Sequence, residues 1–198
     1  MPFQIARLSC RKRLLLVAGA WLLAVGAGFV TLLHYSGTPG HADAPISCWP
    51  AHSRVRIDAS RANLVMLAHP HCPCTRASIG SLSQIMTNCR GLVTAHVVFY
   101  KPDGFPQDWE KTDLWRNATA IPGVEVLCDE QGYEARRFGA TMSGQVLLYS
   151  PGGEMLFSGG ITVSRGHAGD NPGQDAVIST LTGRRTDRTL CPVFGCPL

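Results

Sequence analysis

Cys72 and Cys74 are separated only by Pro73, and His69 and His71 stand directly before them. Thiols and imidazoles at this spacing suit two kinds of chemistry. In the first, Cys72, the more exposed of the two, attacks a disulfide sulfur as thiolate, Cys74 resolves the mixed disulfide, and His71 and His69 tune the thiol and move protons. No cofactor is needed. In the second, His69, His71, Cys72 and Cys74 are soft and borderline ligands for copper, as Cu(I), or zinc. A Cys-Pro-Cys disulfide closes a very small ring, so the spacing predicts a strained and easily reduced bond.

The flanking residues describe the scaffold that must hold this pair. Leu64 to Ala68 is a short continuous apolar run, as expected of a strand buried on both faces. Ala77, Ile79, Leu82, Ile85 and Met86 then recur at helical spacing over 75–86. The thiols therefore fall on a strand-to-helix turn, where the unpaired N–H groups and dipole of a helix start favour thiolate.

Further strands are expected at 92–100 and 123–128, and further helices at 108–117, capped by Asp108, and at 131–138, ended by Gly139. Segments 145–149 and 155–157 read as a hairpin across Ser150-Pro-Gly-Gly-Glu154, followed by a helix over 175–181. Alternating strands and helices predict an α/β fold. The closing antiparallel hairpin narrows it to a thioredoxin-like fold, a central mixed sheet with helices on both faces.

Arg7, Arg11, Lys12 and Arg13 precede an uncharged stretch from Leu14 to Leu33. Its length matches the ~20 residues needed to cross a bilayer core. The chain thus divides into a basic cytoplasmic flank (1–13), a transmembrane signal anchor (14–33), a flexible linker (34–45) and one domain (46–198). A cleaved signal peptide with Ala42-Asp43-Ala44 as its processing site is the competing reading. Basic residues inside and the rest outside predict a single-pass membrane protein whose domain lies outside the cytoplasm. Four of the 18 basic residues lie before residue 14, leaving 14 against 14 acidic residues beyond it. A formally neutral exported domain gives no reason to expect nucleic acid as a partner.

Seven of the eight cysteines lie beyond the span. In an exported domain they are free to form disulfides, and the odd number leaves at least one without an internal partner. Cys191 and Cys196 are the leading structural pair, closing a small loop at the chain end. A second redox pair is the alternative there, and Cys48 has Cys89, Cys191 or Cys196 as possible partners.

The block His69-Pro-His-Cys-Pro-Cys-Thr-Arg-Ala-Ser78, with Arg137-Phe-Gly-Ala-Thr141, Ser143-Gly144 and Phe157-Ser-Gly-Gly-Ile-Thr162, resembles the membrane-anchored thioredoxin-like proteins of bacteria often labelled RedB. Ser164-Arg-Gly-His167, Gly169-Asp-Asn171 and Val193-Phe-Gly-Cys-Pro-Leu198 share the resemblance. It implies the thioredoxin-like fold, a place in the bacterial inner membrane with the domain in the periplasm, and a protein thiol or disulfide partner, and it draws attention to Ser143, Arg165 and His167 as auxiliary site residues. Two departures from ordinary thioredoxins stand out. Cys-Pro-Cys is one residue shorter than Cys-x-x-Cys, and Thr141-Met-Ser-Gly-Gln145 has no proline where thioredoxins place one before the hairpin. The copper carriers of the Sco type use a wider Cys-x-x-x-Cys with a histidine at that place, where this chain has Met142-Ser143. A non-catalytic binding domain, using the polar 164–171 loop, is the third reading. Paired-carboxylate, Ser-His-Asp and phosphate-loop signatures are absent.

Overall fold

The computed structural model describes residues 10–43 and 46–198. Arg7 and Ala44, used above for the basic flank and the processing site, lie outside the described residues. The chain divides into two compact units after Ser36. The first contains helix α1 (Cys10–Gly37), of which Arg11–Gly37 is long and apolar enough to cross a membrane. Its leucines, valines and Trp21 are exposed.

The second unit is built on five strands: β1 (Ala62–Ala68), β2 (Val93–Lys101), β3 (Val124–Glu130), β4 (Gln145–Tyr149) and β5 (Met155–Gly160), in sheet order β3-β2-β1-β4-β5. β1, β2 and β3 run parallel, with Leu64 opposite Ala95 and Ala95 opposite Val124. β4 is antiparallel to β1 and β5 to β4. Parallel neighbours need a crossover, and α2 (Pro73–Asn88) supplies the one between β1 and β2. α3 (Asp113–Thr119) joins β2 to β3, α4 (Tyr133–Arg137) precedes β4, and α5 (Pro172–Leu181) follows β5. This is the thioredoxin-like α/β arrangement expected from the sequence, with the strand expected at 123–128 as its edge strand β3.

β1 shows why the fold forms. Successive side chains of a strand point to opposite faces, and both faces of β1 are covered. Leu64, Met66 and Ala68 pack with Leu82 and Ile85 of α2, Leu114 of α3 and Val177 of α5. Val65 and Leu67 pack on the other side with Leu147, Tyr149, Phe138 and Val55. Trp49 closes that second layer, its ring edge-on to Phe138 and to Tyr149 at 5.2 Å each. Each such aliphatic side chain contributes about 1.5–3 kcal/mol by burial.

Two expectations are corrected. The helix read over 108–117 begins only at Asp113, and its cap is Thr112, whose hydroxyl accepts the Leu114 N–H at 3.2 Å. Asp108 adopts a left-handed backbone (φ 66°) within a turn, and its carboxylate meets Lys111 at 2.7 Å instead. The linker is also less free than its composition suggests. Helix α1 runs on to Gly37, and the Gly40 N–H donates to the Val193 carbonyl at 2.8 Å, while the His41 carbonyl accepts from the Thr141 hydroxyl at 3.2 Å.

Beyond α5, the C-terminal segment returns along the outer edge of β5. The Ser158 N–H donates to Thr189 and the Cys191 N–H to Ser158, at 2.9 and 3.1 Å. Gly159 permits the approach, because a Cβ there would lie 2.4 Å from the Cys191 carbonyl oxygen. The segment thereby covers a sheet edge that would otherwise be open to pairing with another chain.

Candidate active site

β1 ends at Ala68, and His69-Pro70-His71 turns the chain into α2. Cys72 is the N-cap of that helix, Pro73 stands at its first position and Cys74 at its second. Proline suits this place, since its missing N–H would have had no helical partner. The Cys72 N–H donates to the His69 carbonyl at 3.2 Å, which closes the turn.

Ser143 secures the turn from below. It is 1 % exposed; its hydroxyl accepts the His69 N–H at 2.8 Å and shares a 2.7 Å hydrogen bond with the Thr75 hydroxyl. Next to it, the Gly144 N–H donates to the Leu67 carbonyl at 2.7 Å. The segment before the hairpin is thus tied to the strand and the helix that carry the thiols. Replacing Ser143 by alanine leaves the half-buried His69 N–H without its acceptor. The expected result is a loss of about 1–3 kcal/mol, read by calorimetry as a fall of several degrees in Tm.

The cysteines differ from expectation in three ways. Cys72, read as the more exposed thiol, is 2 % exposed and Cys74 is 7 %. The expected Cys191–Cys196 bridge is not formed, and all seven described cysteines from Cys48 to Cys196 are thiols. Cys196 instead stands against Cys72, with its Sγ 2.8 Å away. The cause is the path of the chain end: Cys191 is held on β5, while the Ser143 N–H donates to the Cys196 carbonyl at 2.8 Å and draws it over the site.

Electrostatics separates the three thiols at the site. Burial pushes the Cys72 thiol up, but the Cys196 thiol and backbone N–H, the Cys74 N–H and the Thr75 hydroxyl together hold it below its ordinary value. Burial raises Cys74, and the neighbouring Cys72 charge raises it further against the opposing pull of Arg165. Cys196 is pushed up to about 12, first by burial and then by Cys72. Cys72 is therefore the most readily ionised of the three thiols, with the Cys196 sulfur 2.8 Å from it.

The histidines take a different place from the one expected. His69 and His71 both lie against the Trp109 ring, at 5.7 and 4.5 Å between centroids, and His71 Nε2 is 3.3 Å from the Trp109 carbonyl. His69 Nδ1 accepts the His71 N–H at 3.1 Å, and burial followed by the His71 charge lowers its pKa. Among the described residues no hydrogen bond joins either ring to a thiol, so tuning of Cys72 comes from Cys196, Thr75 and the helix start. Nor are three His, Cys, Asp or Glu side chains grouped so as to hold a metal ion among those residues. The copper or zinc set His69, His71, Cys72 and Cys74 is not assembled.

The 164–171 loop divides by residue. Arg165 turns towards the site, where its guanidinium donates to the Gly195 carbonyl and its charge favours ionisation of Cys74 and Cys196. His167 is exposed, with Nδ1 3.3 Å from the Arg165 carbonyl. Asn171 caps α5, its side chain accepting the Gln174 N–H at 2.8 Å. The place of Cys196 and of Trp109 was missed from sequence; Gly195, which lets the tail lie flat on the site, was the available signal.

No family model matches the chain, and no curated protein sequence matches it. Solved structures do share its fold. A hypothetical protein from Sinorhizobium meliloti is 19 % identical with a TM-score of 0.58, over 81 % of this chain and 93 % of that one. An uncharacterized conserved protein from Geobacillus kaustophilus is 17 % identical with a TM-score of 0.58, over 81 % and 91 %. A secreted Mycobacterium tuberculosis disulfide oxidoreductase aligns at 14 % identity and a TM-score of 0.43, over 63 % and 82 %. With the sheet order and the thiols at the start of α2, the chain has a thioredoxin-like fold with a cysteine-bearing turn.

Proposed function

We propose that this protein is a membrane-tethered thiol–disulfide oxidoreductase of the extracytoplasmic space, with Cys72 as its attacking thiol. The observation that carries the reading is the setting of Cys72, a helix N-cap thiol held below its ordinary pKa with a second thiol 2.8 Å from it. Thiolate is the attacking form in disulfide exchange. The resemblance to the RedB-type proteins supports the same reading, and the apolar helix α1 supports the tether.

The chemistry runs in two displacements. Cys72 thiolate attacks one sulfur of a protein disulfide; the new S–S bond replaces the old one, and a partner thiolate leaves. A second thiol of the site then attacks the Cys72 sulfur and frees the other partner sulfur. Two electrons pass to the partner disulfide, which ends as two thiols after taking the two protons. The reverse sequence oxidises partner thiols. Ser143 and Thr75 hold the turn, and Arg165 steadies negative charge as it moves among the sulfurs.

The pH dependence follows from the direction of the Cys72 shift. Above its folded pKa the thiolate dominates and the rate of attack is flat; below it the rate falls about tenfold per pH unit. Alkylation of Cys72 by iodoacetamide is expected to inflect at lower pH than alkylation of an unstructured cysteinyl peptide, whose thiol titrates near 8.5. Site-resolved mass spectrometry of the reduced full chain in detergent measures it. An inflection at or above that of the peptide would contradict the reading.

A further inference from the structure

The C-terminal tail is seated on the site as a short added strand. Met142 and Pro197 face each other as antiparallel partners. The Ser143 N–H donates to the Cys196 carbonyl at 2.8 Å and the Leu198 N–H to the Thr141 carbonyl at 3.0 Å. Gly195 lies so close to Ser143 that a Cβ would stand 1.8 Å from the Ser143 carbonyl oxygen, and Arg165 clamps the Gly195 carbonyl. The result is one thiol, Cys196, delivered onto Cys72.

Cys74 is placed less well for that bond, because a Cys72–Cys74 disulfide would close a very small, strained ring, whereas the Cys72 thiol is in contact with that of Cys196. A disulfide requires ~2.0 Å between sulfurs, so the 2.8 Å contact of Cys72 with Cys196 needs only a small closure. A seated tail also accounts for the 2 % exposure of Cys72.

We infer that Cys72 and Cys196 form the reversible disulfide of this protein, and that the tail is a removable strand carrying the second thiol to the site. The inference rests on the thiol-exchange reading above and names the thiol that resolves it. A partner disulfide reaches Cys72 when the tail lifts from residues 141–143. Cys72 thiolate attacks, the partner S–S bond breaks, and one partner thiolate leaves. When the tail reseats, the Cys196 sulfur bonds to Cys72, its proton passes to the departing partner thiolate, and the mixed disulfide breaks. Cys72 and Cys196 have together lost two electrons and the partner disulfide has gained them.

The experiment uses the reduced full chain in detergent, treated with oxidised glutathione, quenched with acid, blocked with N-ethylmaleimide and mapped by mass spectrometry. The expected product is a Cys72–Cys196 linked peptide in the wild type and in Cys74→Ser, with glutathionylated Cys72 accumulating in Cys196→Ser. A Cys72–Cys74 or Cys191–Cys196 link in the wild type, or glutathione retained on wild-type Cys72, overturns the inference while leaving Cys72 exchange intact. Cys72 unmodified throughout overturns both. Gly195→Val keeps every thiol and displaces the tail through the clash with Ser143. It is expected to raise the alkylation rate of reduced Cys72 about tenfold or more, and an unchanged rate overturns the inference.

Discussion

Replacing Cys72 by serine is expected to bring disulfide exchange down to the uncatalysed rate. Serine keeps the size of the side chain but its hydroxyl does not ionise in the range where a thiol does, so the attacking form is lost. The substitution leaves the fold in place, because the turn is held by backbone groups, Thr75 and Ser143 rather than by the sulfur. Cys74→Ser serves as the comparison and is expected to retain activity within about tenfold, since Cys74 is the thiol whose ionisation burial and the Cys72 charge oppose. The measurement is dithiothreitol-driven reduction of a protein disulfide such as that of insulin, with Tm recorded for each variant. Equal activity of wild type and Cys72→Ser would remove Cys72 from the mechanism.

Deleting residues 1–37 is expected to move the protein wholly from the membrane fraction to the soluble fraction. The 27 residues of Arg11–Gly37 exceed the ~20 that span a bilayer core and bear their apolar side chains outward. A helix of that length resists alkaline carbonate extraction, whereas a peripherally bound domain does not. The domain keeps its two core layers without α1, so the deleted form is expected to retain the Cys72 alkylation behaviour of the full chain. Carbonate extraction of membranes from cells expressing each form is the test, and protease access in spheroplasts reads the side on which the domain lies. Full extraction of the intact chain by carbonate would contradict an uncleaved anchor.

Much of this architecture was legible in the sequence because it is written locally. Leu64 to Ala68 is apolar at every position, as a short strand covered on both faces requires, and the helical stripe to Met86 begins where the proline permits a helix to start. The hairpin boundaries at Gln145 and Tyr149 follow from its turn residues. Asp108 was misleading because a good capping residue is equally good in a turn; Thr112, further along the chain, took the cap and Asp108 took Lys111.

The site was less legible for the opposite reason. Cys72 and Cys196 lie 124 positions apart and meet only because the tail crosses β5 and pairs with residues 141–143. Sequence proximity favoured Cys191 for Cys196, yet Cys191 is fixed to β5 by its own backbone hydrogen bond. Likewise His69 and His71 sit beside the thiols in sequence, but alternate turn geometry sends both rings to Trp109. Local pattern specifies elements, whereas the partners of a side chain depend on where distant segments return.

The most direct test of the account is a redox titration of Cys72 itself. The full chain in detergent is equilibrated with glutathione buffers of stepped potential and quenched in acid, and the alkylatable fraction of each cysteine is read by mass spectrometry. Cys72 is predicted to pass from fully alkylatable to fully blocked in one two-electron transition, tenfold in the ratio for ~30 mV, while the exposed Cys48, the buried Cys89 and the half-buried Cys128 stay outside it. A Cys72 that remains alkylatable across the whole range would contradict the account.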